Sequence, residues 1–339
     1  GAATLARGRT PARLQDRTWS WNGYNIRYQC AGEENKGPSV LLVHGFGGNA
    51  DHWRDNTAAL AEAGLRCFAI DLLGYGKGDK PDPMAMAAMC GERRRGDAVT
   101  GTNKHPLGSG YNFYTWADQL LDFAQEVVAD DEGVFAVCNS VGSVAALQAA
   151  KDAGPSRLRG VFALDPSLRM LHVERQNPLQ RPFTSALQTI LRETPVGLAF
   201  FGQVAQPETV RTVLKQAYAV KDRVDDELVA AVLSPGLSEG AARVFLDFIS
   251  YSGGPLPEDL LEAIDDVPVW IGWGDQDPWE PIAQGRAYAD YECVKRFIAL
   301  PGVGHCPQDE VPEQVNALVR EFVASICPDY AATAATVDA

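Results

Sequence analysis

The chain has 339 residues, 46% hydrophobic and 22% charged, enough for a large core in one globular domain plus a sizeable insertion. Lys plus Arg total 30 against 44 for Asp plus Glu, a formal net charge of −14; Arg93-Arg94-Arg95 is the single local basic cluster, so nucleic acid is not an expected partner. No apolar run approaches the ~20 residues of a membrane helix, and the seven cysteines, without C-x-x-C spacing, read as thiols rather than as a disulfide framework or zinc site.

Residues 1–17 carry Arg7, Arg9, Arg13 and Arg17 against one acid, Asp16. The tail of an organelle transit peptide would have that bias, and so would a plain flexible terminus. Thr18–Trp21 and Tyr24–Tyr28 alternate apolar with polar around Asn22-Gly23, a hairpin signal. Ser39–Val43 is a continuous apolar run of the kind buried on both sheet faces. Cys67–Ile70, Val134–Val137, Val161–Leu164 and Val269–Ile271 repeat its character, with Val294–Leu300 as a further strand. Helical patterns fall at about 54–63, 115–129, 141–153 and 309–325. Strands alternating with helices predict a mostly parallel central sheet covered on both faces.

Two stretches break the alternation. Residues 82–110 are expected to form a mobile insertion loop. From about Leu168 to Gly254 the chain is helix-rich, with Phe183, Leu187, Ile190, Leu191, Leu198, Phe200 and Phe201 close together. These residues predict an inserted helical cap that would offer a wall to an apolar substrate. The expected division is a core of 18–166 and 255–327, a cap of 167–254, and flexible termini at 1–17 and 328–339.

Ser140 lies between the run Val134–Val137 and a helical pattern starting at Val141, in Cys138-Asn139-Ser140-Val141-Gly142. A sharp strand-to-helix turn there would lift its hydroxyl above the sheet at a helix N-terminus, the placement of a nucleophile. Cys138 stands where this turn commonly has glycine. His305, in Gly304-His305 after the last strand, is the expected base, and Asp277, after the strand at Val269–Ile271, the acid that orients it. Asp165, just after Val161–Leu164, is a rival acid. The order Ser…Asp…His is that of the α/β-hydrolase fold. An oxyanion hole needs two N–H donors; position gives them to Phe46, in His44-Gly45-Phe46-Gly47-Gly48, and to Val141. His44, Gly45 and Asn139 are expected to contact substrate, with His44 shaping the loop rather than titrating. His52, His105 and His172 are too dispersed to suggest a metal site. Gly74-Tyr75-Gly76-Lys77-Gly78 lacks the spacing of a nucleotide loop.

Several segments resemble plastid α/β-hydrolases of the pheophytinase and chlorophyll dephytylase group. They are His44–Asn49, His52-Trp53-Arg54-Asp55-Asn56, Asp71–Lys77 with Asp79-Lys80-Pro81, Tyr114–Leu120, and Gly304–Pro312. The similarity spans about 18–80 and 111–325, leaving out the insertion. Asn139 matches the group's nucleophile segment and Cys138 departs from it. Asp165-Pro166-Ser167-Leu168 replaces an apolar-aromatic segment. The resemblance implies cleavage of the phytyl ester of pheophytin to pheophorbide and phytol, in a chloroplast. Chlorophyll or another hydrophobic ester is the alternative substrate.

The residues themselves lead only to a serine hydrolase of an ester with a substantial apolar part, requiring neither metal nor organic cofactor. A serine nucleophile argues against dehalogenase and epoxide hydrolase chemistry, which use aspartate. It leaves open a C–C bond hydrolase, a perhydrolase and a ligand receptor without turnover. Peripheral contact between the cap and a membrane is a further expectation.

Overall fold

The structure, a computed structural model, describes residues 12–86 and 109–334. One sheet holds β1 (Gln15–Trp21), β2 (Tyr24–Ala31), β3 (Ser39–Val43), β4 (Arg66–Ile70), β5 (Val134–Asn139), β6 (Leu158–Leu164), β7 (Val269–Gly274) and β8 (Val294–Leu300). Their spatial order is β1-β2-β4-β3-β5-β6-β7-β8. β1 and β2 form an antiparallel hairpin whose turn, Asn22-Gly23, has positive φ at both residues, as a tight hairpin requires. β2 runs antiparallel to β4, and every later pairing is parallel.

Period-two alternation assigns each strand residue to a face. In β3, Leu41 and Val43 join one apolar layer and Val40 and Leu42 the other. In β5 the split is Ala136 and Cys138 against Phe135 and Val137. The first face is covered by α2 (Phe113–Phe123), α3 (Val141–Ala153) and α9 (Pro257–Ala263). The second is covered by α1 (Thr57–Glu62), α12 (Pro312–Ile326) and α13 (Pro328–Ala334). There Phe322 of α12 meets the rings of Phe135, Phe162 and Trp270 at centroid distances of 5.6, 5.7 and 5.4 Å.

The cap lies between β6 and β7. It comprises α4 (Arg181–Glu193), α5 (Pro195–Val204), α6 (Pro207–Ala217), α7 (Asp226–Gly236) and α8 (Ala241–Ile249). Proline in the first turn opens each of α4, α5 and α6, where its missing N–H costs no helical bond. Asp225 caps α7, its side chain accepting the Leu228 N–H at 2.7 Å. Two short helices, α10 (Ile282–Gly285) and α11 (Pro307–Glu310), complete the chain.

Three expectations are corrected. β1 begins at Gln15, so the hairpin extends into the presumed flexible start. Residues 328–334 are helical rather than a loose tail, because buried Tyr330 adds to the layer of Phe322. The apolar cap residues Phe183, Leu187, Ile190, Leu198 and Phe200 are exposed, so they do not wall an internal pocket. Most of the expected insertion, residues 87–108, lies outside the described residues. Its flanks meet where the Gly110 N–H donates to the Pro83 carbonyl at 3.2 Å.

Truncating Phe322 would leave three aromatic rings facing a void. Phe322→Ala is expected to destabilise the fold by about 3–5 kcal/mol, checked by denaturant unfolding.

Candidate active site

The chemical groups gather beyond the carboxyl ends of β3, β5, β6, β7 and β8, where an open α/β sheet has its crevice. Ser140 follows β5 directly and has φ 54°, a conformation costly for a residue with a Cβ. The turn is held by the Ser140 N–H donating to the Leu164 carbonyl at 3.0 Å. It is also crowded: a Cβ on Gly142 would fall 2.4 Å from the His44 carbonyl, which explains that glycine. Cys138 replaces the other usual glycine without a clash, because its side chain enters the core layer under α3.

His305 is fixed on three sides. Its N–H donates to the Ala217 carbonyl at 3.0 Å, and its carbonyl accepts from the Asn139 side chain at 3.0 Å. Its Nδ1 lies 2.7 Å from Asp277 Oδ2. Asp277 Oδ1 in turn accepts the Trp279 and Glu280 N–H groups at 2.8 and 3.0 Å. Burial alone would raise the Asp277 pKa. The hydrogen bond and charge of His305, with the two amides, outweigh it and hold the carboxyl below its ordinary value. Asp165, the rival acid, does not take this place beside Nδ1. An Nδ1···O separation of 2.7 Å is that of a charge-assisted hydrogen bond. Two ligands of one tetrahedral ion, each about 2.0–2.2 Å from it, stand farther apart.

Ser140 and His305 line a common cavity of about 400 Å³. Gly45, Phe46 and Val141 border it, and Val141 opens α3, whose first N–H groups have no partner within the helix. The cap contributes Val213, Leu214, Val232, Phe245 and Phe248, so the walls are mainly apolar. These residues could not be separated in the sequence from ordinary helix packing. Asn139 also borders the cavity, but its amide bonds the His305 and Leu164 carbonyls, which makes it a brace.

His44 departs from expectation. It is fully buried and does not reach the cavity. The Leu72 N–H donates to its Nε2 at 3.0 Å, so its Nδ1 carries the proton and donates to the Gly45 carbonyl at 2.7 Å. Burial, above all, pushes its pKa down to about 4.

Other polar groups on the cavity wall had no site role in the sequence reading. Glu280, buried, takes the Ser167 hydroxyl at 3.1 Å. The Arg169 guanidinium lies against the rings of both Phe113 and Tyr251, 4.3 and 4.7 Å from their centroids. His52 Nε2 lies 2.7 Å from the Tyr218 hydroxyl, which donates to Asp309 at 3.0 Å, so His52 carries its proton on Nε2.

His44 gives a pH signature. The unfolded chain protonates it below about 6.5 and the folded chain only near 4, so between these values the unfolded state binds more protons. Stability should therefore fall as pH drops through that window, by up to roughly 3 kcal/mol. Thermal melts should show a smaller decline over the same range in His44→Gln than in wild type.

The alpha/beta hydrolase family model matches residues 40–318. The chloroplastic pheophytinase of Arabidopsis thaliana is 26% identical over 342 aligned positions, covering 95% of this chain and 69% of that protein. An uncharacterized protein of Mycobacterium tuberculosis H37Rv is 31% identical, covering 92% of this chain and 82% of its own length. Among solved structures, a serine hydrolase involved in carbazole degradation (the CarC enzyme) superposes with a TM-score of 0.66 at 18% identity, covering 92% and 99% of the two chains. By the extent of the family match and by its sheet, this chain belongs to the alpha/beta hydrolase family.

Proposed function

We propose that the protein is a serine-triad carboxylic ester hydrolase for a hydrophobic ester, with pheophytin as substrate and pheophorbide and phytol as products. The observation that carries the reading is the placement of Ser140 and the Asp277-bound His305 on the wall of one largely apolar cavity.

Ser140 attacks the ester carbonyl while His305 takes its proton, and Asp277 balances the imidazolium. The N–H groups of Phe46 and Val141 hold the developing oxyanion. His305 then protonates the leaving alcohol, and water repeats the sequence on the acyl-enzyme. A cavity of about 400 Å³ accepts one apolar arm of such an ester. The bulk of the other arm would rest at the mouth, where Met170, Leu171 and Trp279 are exposed and line the same cavity. The pigment assignment draws on the pheophytinase relative, and a chloroplast location belongs to that same proposal.

The exposed cap face supports a peripheral membrane contact as part of this reading. Phe183, Leu187 and Ile190 project from one side of α4, and Met170 and Leu171 are exposed at the cavity mouth. Among the described residues no single helix is long and apolar enough to cross a membrane. A net charge of −14 favours a neutral lipid surface over an anionic one.

Purified protein incubated with pheophytin a should release pheophorbide, and Ser140→Ala should lower the rate at least about a thousandfold. A higher rate on chlorophyll a would make the protein a chlorophyll dephytylase. Failure on both pigments with turnover of a p-nitrophenyl ester would retain the esterase and discard the pigment. Absence of turnover on every ester would point to a ligand receptor. In flotation with neutral-lipid vesicles, wild type should rise with the lipid and a Phe183→Ser, Leu187→Ser double variant should remain below. Wild type remaining below would reject the membrane contact.

A further inference from the structure

Asp165 directly follows β6 beside the proposed catalytic groups, yet that mechanism gives it no role. It is completely buried and takes a positive φ of 42°. Its N–H donates to the Gly272 carbonyl at 2.8 Å, and its Oδ1 accepts the Gly274 N–H at 2.9 Å. Its Oδ2 is buried and has no hydrogen-bond partner. One oxygen of Asp165, one of Asp277 and one ring nitrogen of His305 lie within 4.8 Å of one another.

We propose that Asp165 is a positioning residue held as a neutral carboxylic acid, with its proton on Oδ2 and donated to the carboxylate of Asp277. The acid arm of the site is then a pair of carboxyl groups rather than a single one. The proposal rests on the reading of Asp277 and His305 as the acid–base pair.

Two buried carboxylates this close cannot both be ionised without a neutralising group. The titratable groups facing Asp165 are Asp277 from the segment after β7, His305 and Cys306 from that after β8, and Glu310 of α11. No lysine or arginine is among them. Asp277 has the stronger hold on the charge, with two amides and an imidazole against the single amide at Asp165. The proton therefore belongs to Asp165, and its orphaned Oδ2 is the atom that gains a partner by carrying it. Burial, followed by the charge of Asp277, pushes the Asp165 pKa well above the ordinary carboxyl range, which supports the same arrangement. A structural link to Gly274 explains Oδ1 but leaves Oδ2 unexplained.

Protonated, Asp165 would fix which oxygen Asp277 turns to His305. It would also draw electron density from that carboxylate, moderating the basicity of the imidazole.

Infrared spectroscopy of the whole protein at about pH 8 tests the protonation without using activity. Subtracting the spectrum of Asp165→Asn from that of wild type should leave a carboxylic-acid C=O band. Absence of the band, with an ionised-carboxylate band in its place, overturns the proposal. Kinetics on a p-nitrophenyl ester test the role. Asn can donate to Asp277 while accepting from Gly274, so Asp165→Asn should keep kcat within about threefold. Asp165→Leu has no donor; it should lower kcat about tenfold or more at unchanged KM and move the kinetic pKa of the base upward. A folded Asp165→Asn that loses activity about a hundredfold would show that the charge is needed, overturning the proposal. So would a folded Asp165→Leu with the wild-type kcat and pH profile. If Asp165→Leu fails to fold, the infrared difference and Asp165→Asn decide. A wild type that shows the band but cleaves no ester refutes the functional reading and leaves the protonated Asp165 standing.

Discussion

A single buried carboxylate ties the parts of this site together. Glu310 of α11 accepts the Ala219, Val220 and Gly304 N–H groups at Oε2, at 2.7, 2.9 and 3.1 Å, and the Cys306 N–H at Oε1, at 3.2 Å. These four donors come from both sides of His305 and from the cap segment after α6. Loops with free amides could not be buried without such an acceptor. The arrangement joins the loop that carries the imidazole to the cap that encloses it. The Ala217–His305 and Asn139–His305 hydrogen bonds complete the frame on the other sides.

That frame makes an apolar cavity compatible with ionisable chemistry. Apolar walls screen charge less than water does, which strengthens each electrostatic contact beside them. The same apolar surroundings make any unpaired polar atom costly. Asp277 meets this demand with two amides and His305, whereas Asp165 meets it with one amide and, on our proposal, a retained proton. His44 meets it by remaining neutral. Burial acts on all three groups, and the partners around each decide how far it prevails.

The elements were legible wherever local pattern and tertiary need agree. The helix at Val141–Ala153 was read with its observed ends, and the core strands within one to three residues, because their runs are buried on both faces. The placement of Ser140, Asp277 and His305 in loops that follow strands was legible from their order in the chain. Other residues misled. His44 stands in the glycine-rich loop and reads as a substrate contact, but its two ring nitrogens are taken up by Leu72 and Gly45. The large apolar residues of α4 read as a pocket wall, but they face outward, while Val213, Leu214, Val232, Phe245 and Phe248 of the other cap helices face the cavity. Composition identifies an apolar helix face but not the side on which its neighbours lie.

The sequence by itself determined the alternation of strands and helices, the turn at Ser140 and the chain order of Ser140, Asp277 and His305. Hydrophobic periodicity and the steric needs of tight turns act between residues near in the chain. Tertiary structure alone decided which carboxyl meets His305 and what lines the cavity. Asp165 and Asp277 are 112 positions apart in the chain, and they follow two different strands of the sheet, β6 and β7. Their protonation depends on distances and donors that exist only once β6, β7 and β8 lie side by side.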